Sequence, residues 1–459
     1  MINEMLRRGM FFRGVDGLQV ELIEAQQEGK DVNGLKEEAD RILQMGDGVE
    51  KMMAANTFYD KISALPIRED FDYVEPSDIE GIRKARPANR DSYGVPPEDD
   101  GLYDKIYGAW LGRCAGCLLG KPVERWTRSK IDGLAKDTSN YPITDYFSSD
   151  VPNDIKEKYD MKDTWGPVKI YGSNVVGWIN TVDAMPPDDD TNYTILGLKV
   201  LEEVGKSFTS IDVAAEWINS LPALHLMTAE RVGYRNIISG ILPPESGWRR
   251  NPYREWIGAQ IRADIFGYVA PGNPEEAAEL AWRDAVLAQH KNGIYGEMFV
   301  AAMLALAHVT KDIGRIVDAG LDQIPENSRL AEGVRKVILW KKDGLSWEQA
   351  IDALHEIYDE TQIHDWCLTT SNAMVVALAL LFGEGDFEKS IAISVHAGFD
   401  TDCNGATVGS IVGMTLGAKA LPKKWTAPLN DTVTSGVAGF ASSRISDLAS
   451  RTVEVIRRG

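Results

Sequence analysis

Three consecutive aspartates, Asp188, Asp189 and Asp190, stand directly before Thr191 in MPPDDDTNYTILGLKVLEE, where Ile195, Leu196, Leu198, Val200, Leu201 and Val204 follow helical spacing. One aspartate at a helix start is a structural cap worth about 1 kcal/mol, and the positive end of the helix dipole favours a second. A third exceeds that need. The run therefore admits two readings: a solvated capping cluster, or carboxylates converging on a hard cation whose charge cancels their repulsion. A second acidic pair, Asp400 and Asp402, stands in HAGFDTDCNGATVGSIVGMTLGA, again at the mouth of a helix of small residues. An Asx-turn with a cap accounts for such a pair taken alone. Two clusters together supply oxygen ligands for one or two Mg²⁺ or Mn²⁺ ions.

A third stretch, YGAWLGRCAGCLLGKPVERW, sets Gly112, Gly116 and Gly120 at four-residue intervals and delivers Glu124 just past the expected helix end. Glycine at that interval lets a helix approach its neighbour backbone to backbone. Glu124, between Val123 and Trp126, is either half of an exposed ion pair or an acid tuned by desolvation to handle a water proton. Cys114 and Cys117 form a C-x-x-C that reads as core, because its neighbours are small and apolar and no second pair completes a zinc site. The remaining cysteines are Cys367 and Cys403. With no apolar signal segment in MINEMLRRGMFFRGVDG, four cysteines point to reduced thiols and a cytoplasmic location.

The elements that must hold these residues are mostly helical. A chain of 459 residues, 44% hydrophobic, supports a main domain of more than about 300 residues plus an appendage. Helical periodicity runs through residues 1–65, which reads as an N-terminal extension of amphipathic helices. Residues 66–100 are rich in proline and charge, and read as a linker or wrapping arm. Residues 101–459 carry long helical segments such as GEMFVAAMLALAHV and SNAMVVALALLFG, and form the catalytic domain in this reading. The best strand candidates, YPITDYF and VKIYGSNVVGWINT, fall together between residues 141 and 181 as an insertion. The fold class is therefore all-α. A net charge of −20 disfavours a nucleic-acid partner, and no apolar run approaches the roughly 18 residues of a membrane span.

Taken together, GAWLGRCAGCLLGKPVE, DDDT (Asp188–Thr191) and GFDTD (Gly398–Asp402) resemble, in order, the signatures of the ADP-ribosylglycohydrolase family. The resemblance spans about residues 103–425 and implies a compact all-helical fold with a pair of Mg²⁺ or Mn²⁺ ions. It implies Asp188, Asp189, Asp190, Asp400, Asp402 and Cys403 as the metal-site positions, and a catalytic role for Glu124 with Asp189 and Asp190. AQHKNGIYGEMFVAA resembles the family's substrate loop and implicates His290, Gly293, Tyr295 and Gly296, while Arg262 aligns with an arginine of a further substrate-contacting stretch. The substrate implied is an ADP-ribosylated protein or an ADP-ribosyl small molecule.

Four positions or segments depart from the pattern. Asp188 stands where the family usually has threonine or serine. Cys403 replaces a threonine, exchanging a hard oxygen donor for a thiol that suits a hard cation poorly. Ile257 replaces an asparagine expected near substrate, and the insertion from about residue 130 to 184 reshapes the acceptor side. These departures keep open a hydrolase of another N- or O-ribosyl compound at the same metal centre. A catalytically silent ADP-ribose binder and a metal-stabilised scaffold complete the set, although a pure binder has no need of a water-activating acid.

Overall fold

The computed structural model describes residues 14–87, 99–166 and 171–459. Residues 1–13 of the expected extension, 88–98 of the expected linker and 167–170 of the expected insertion lie outside the described residues.

The N-terminal segment forms α1 (Leu18–Gln27), α2 (Lys36–Gln44) and α3 (Val49–Ser63) around an apolar cluster of its own, with Leu18, Ala39, Phe58 and Ile62 buried at its centre. The following arm runs along the main body. A short helix, α4 (Ile79–Ala85), begins at Asp78, whose carboxylate accepts the Gly81 N–H at 2.7 Å. Its Ile82 belongs to the main core rather than to the extension's cluster.

Polar contacts tie the extension and arm down. Arg254 donates to Glu21 of α1 at 2.7 Å and to Glu28 at 3.0 and 2.8 Å. Arg329 bridges Glu75 of the arm and Glu255 of the main body, each at 2.7 Å. Each pair is buried, so removing one partner leaves an uncompensated charge.

The main body is built on α5 (Asp99–Gly120), α6 (Asp189–Val204), α7 (Asn292–Ala307), α8 (Thr369–Gly383), α9 (Phe387–His396), α10 (Thr401–Leu416) and α11 (Ile445–Arg458), with further shorter helices between them. Every residue of α7 is buried. Its composition is apolar on all sides, as expected for a helix surrounded by protein.

Helices α5 and α10 approach each other backbone to backbone. A Cβ added at Gly108, Gly112, Gly116 or Gly120 would overlap the backbone of Gly413, Gly409, Gly405 or Thr401 respectively. The reverse additions at Gly405, Gly409 and Gly413 would overlap carbonyls of Gly116, Gly112 and Gly108. The register is antiparallel, since rising numbers on one helix meet falling numbers on the other. It brings the end of α5 against the start of α10, where the Thr401 hydroxyl donates to the Gly120 carbonyl at 2.9 Å.

Among the described residues the only sheet is an antiparallel ribbon of β1 (Thr432–Thr434) and β2 (Ser442–Arg444). The fold is all-α. The two strand candidates are corrected: among described residues the 141–181 region holds turns, short helices and one isolated bridge, Thr164 to Val175. Its asparagines explain the outcome. Asn140 Oδ1 accepts the N–H groups of Thr144 and Asp145 at 2.9 and 3.1 Å, closing a local loop where a strand would need a ladder partner.

Candidate metal centre

Helix α6 starts at the aspartate run. Asp188 is its N-cap, with extended backbone and Oδ1 accepting the Asp190 N–H at 3.1 Å. Asp189 and Asp190 occupy the first turn. Asp400 precedes α10 as its N-cap residue, yet its carboxylate makes no capping bond and is left for other work. The φ of +74° at Gly398, with Glu360 packed where a side chain would stand, gives the turn into Asp400 a physical need for glycine. Glu124 follows the short turn Lys121–Val123 at the end of α5.

These elements assemble one acidic centre with two halves. The inner half joins Asp188, Asp190, Asp402 and the Cys117 thiol, with one candidate ligand atom from each lying within 4.8 Å of the others. Lys121 reaches into it and donates to Asp188 Oδ2. The outer half joins Asp400, Asp402 and Cys403 within the same limit, and these three line a cleft together with Glu124 and Asp189. Asp402 belongs to both halves, and its Oδ1 is buried with no hydrogen-bond partner.

Burial and mutual repulsion act on these acids in one direction. Burial pushes Asp189, Asp190, Asp400 and Asp402 well above the carboxylate range, and neighbouring carboxylates add to it. Asp188 is the exception. Burial would raise it too, but the Lys121 ammonium and the Asp190 N–H hold it below its ordinary value. Burial raises Glu124, against the pull of Arg125, whose Nε lies 3.7 Å from Oε1, and of Lys121. An orphaned carboxylate oxygen among acids of this kind fits a hard divalent cation.

The structure does not bring every expected residue to the cleft. Arg262 is enclosed, donating to Glu230 at 2.7 Å, to Gln289 at 2.9 Å and to Asp284. It stands behind Glu230, which does line the cleft. His290 and Tyr295 face the arm instead: His290 Nδ1 is 2.8 Å from the Ser77 hydroxyl, and the Tyr295 hydroxyl donates to the Pro76 carbonyl. Gly293 packs under the Arg254 carbonyl, and Gly296 packs against Thr369 and Gln260. Ile257 lines the cleft, presenting an apolar wall.

Other residues of the centre were not among the expected site residues. Arg113, fully buried in α5, donates to the Asp190 carbonyl at 2.7 Å, to Asp190 Oδ1 at 3.2 Å and to Asp264 at 2.8 Å. A charged residue between Gly112 and Gly116, in the apolar C-terminal half of α5, was the available signal. Cys117 is buried as core, yet its thiol also approaches Asp190 Oδ2 at 3.7 Å. Tyr171, from the insertion, lines the cleft through a turn with a φ of 53°, and nothing in its local sequence marks it.

Two acidic helix mouths thus face one cleft on an all-helical body. The family model for ADP-ribosylglycohydrolase matches residues 98–459, and the chain belongs to that family. A solved structure described as an ADP-ribosylglycohydrolase-related protein complex is similar at 18% identity and a TM-score of 0.49, over 78% of this chain and 99% of that one. No curated protein matches the chain.

Proposed function

We propose that the protein is a metal-dependent hydrolase that cleaves the glycosidic bond between ADP-ribose and an acceptor, either a protein side chain or a small molecule. One observation carries this reading: Asp189, Asp400, Asp402 and Glu124 meet on a single cleft although they come from three separate helix ends. Family membership supports the substrate class.

Asp189, Asp190, Asp400 and Asp402 hold Mg²⁺ or Mn²⁺ in this reading, and Arg113 fixes Asp190 against the helix behind it. When bound, such an ion supplies Lewis-acid chemistry and lowers the pKa of a coordinated water. The chain's own groups do the rest. Glu124, raised by burial, accepts the water proton more readily than an ordinary carboxylate would. Carboxylates around the cleft favour the positive charge that develops at the anomeric carbon in an oxocarbenium-like transition state. Arg262 acts as a positioning residue, because it holds Glu230 at the cleft wall. His290 and Tyr295 act through the arm they hold.

The test is release of free ADP-ribose from arginine-, serine- and acetyl-linked substrates, with and without Mn²⁺, beside a panel of simple ribosyl compounds. Metal-dependent release from at least one ADP-ribosyl substrate is expected. The apolar Ile257 at the cleft favours a second reading, hydrolysis of a different ribosyl compound at the same centre. Turnover confined to the simple panel would select it, and no metal-dependent turnover anywhere would remove both.

A further inference from the structure

The inner half of the acidic centre already contains a cation. Lys121 is 3% exposed, and its ammonium donates to Asp188 Oδ2. The other oxygen of Asp188 accepts the Asp190 N–H at 3.1 Å, so both are committed. The lysine stem is held in place: a Cβ added at Gly177 would approach Lys121 Cδ at 3.2 Å, and the Tyr171 ring centre lies 5.9 Å from Nζ. In the outer half, by contrast, Asp400 and Asp402 face the open cleft, and no lysine or arginine forms an ion pair with either among the described residues.

We propose that the Lys121 ammonium is a built-in cation that fills the inner half of the centre, so that the chain binds one divalent ion where the resemblance implies two. This rests on the metal-dependent reading above. The reason is electrostatic. An ion shared by Asp188, Asp190 and Asp402 would share Asp188 with the ammonium that Lys121 already places on it, and two cations on one buried carboxylate repel. The charges at this corner also compensate each other. Asp188 adds one negative charge at a position where a hydroxyl is usual, and the Lys121 ammonium stands against it. The single ion then belongs to the outer half, with Asp400 and Asp402 as its ligands beside Glu124.

Manganese binding to the full chain decides the matter. The metal-free protein is titrated with Mn²⁺ by calorimetry, bound metal is counted by elemental analysis, and the electron paramagnetic resonance spectrum is recorded. One Mn²⁺ per chain with the spectrum of an isolated ion is expected. Two per chain with an exchange-coupled spectrum would overturn the inference and leave the proposed function standing. No binding would overturn both. The double variant Lys121→Met/Asp188→Thr removes the pair without orphaning either charge, and is expected to double the stoichiometry to two with a coupled spectrum. Lys121→Met alone serves if the double variant loses its helical circular dichroism. A folded variant that still binds one ion shows that Lys121 does not set the count.

Discussion

Asp402 contributes to both halves of the acidic centre and keeps one oxygen buried without a partner. Asp400 leaves its carboxylate out of the helix cap it precedes. Replacing either with alanine should remove the stabilisation that added metal confers. For a ligand at 100 times its Kd that stabilisation is about 2.7 kcal/mol, and thermal denaturation with and without Mn²⁺ measures it. Unchanged metal stabilisation in Asp400→Ala would take that residue out of the site. Cys403 gives a complementary test. Its thiol is buried and pushed well above its usual range by burial and by the neighbouring aspartates, so it is a neutral, soft donor. Cys403→Thr should tighten the ion at Asp400 and Asp402 by on the order of tenfold, about 1.4 kcal/mol, and saturate activity at lower magnesium. Weaker binding would show that position 403 offers no ligand. Aspartates at helix mouths were legible in the sequence because a cap needs only one acid and these sites carry more. Arg113 offered only its charge between two glycines and Lys121 only its place in the turn before Glu124, and neither could be tied to an aspartate, because each meets its partner across a long stretch of chain.

At the scale of elements, the contact between α5 and α10 sets the distance between Glu124 and the Asp400–Asp402 pair. Valine at Gly112 or Gly409 would place a branched side chain into the opposing backbone. Overpacking of a core costs about 1–3 kcal/mol and more where backbones must part, so each variant should lose at least about 3 kcal/mol in denaturant unfolding. Any folded remainder should bind metal weakly. Valine at Gly46, where the added Cβ meets nothing and φ is not in the left-handed region, controls for glycine replacement in general. Full stability in Gly112→Val would mean the helices are not in close contact. Half of this pairing was visible in the four-residue glycine interval of α5. Its partner interval, Gly405, Gly409 and Gly413, lies in a segment whose small residues read equally well as an ordinary helix. The short ribbon of β1 and β2 left no signal either, since three residues are too few to show alternation. The misread strands of the insertion had apolar content of the right kind, but local side chains took backbone donors: Asn140 those of Thr144 and Asp145, and Ser173 that of Val175.

At the scale of the whole molecule, the extension is joined to the body through buried acids that do not all have partners. Glu24 accepts no hydrogen bond, and burial together with the nearby Glu255 carboxylate pushes it well above its ordinary range. Glu255, buried against Arg329, is raised to about 7. A folded-state value above the unfolded one of roughly 4.3 means that its contribution is complete below that value and is lost as pH rises through about 7. Stability should therefore fall between pH 5.5 and 8.5 by an amount of order 2 kcal/mol from this group. Urea midpoints at fixed Mn²⁺ in wild type and Glu255→Gln measure it, since the glutamine cannot titrate and its curve should be flatter. Parallel curves would show that Glu255 does not change charge in this range. The extension's helices were legible in periodicity alone. Its attachment was not, because the acids of α1 read as a solvated helical face until Arg254 is seen beneath them.

The antiparallel pairing of α5 with α10 also orders events during synthesis. Gly108 meets Gly413 and Gly120 meets Thr401, so the groove on α5 is made early by the ribosome and its occupant emerges near the end. Until then a nascent chain displays Glu124 and the first aspartates without the second acidic mouth. Contacts so distant in sequence close slowly. A stop codon or a stall anywhere before Thr401 leaves the glycine-lined face of α5 without the helix that fills it.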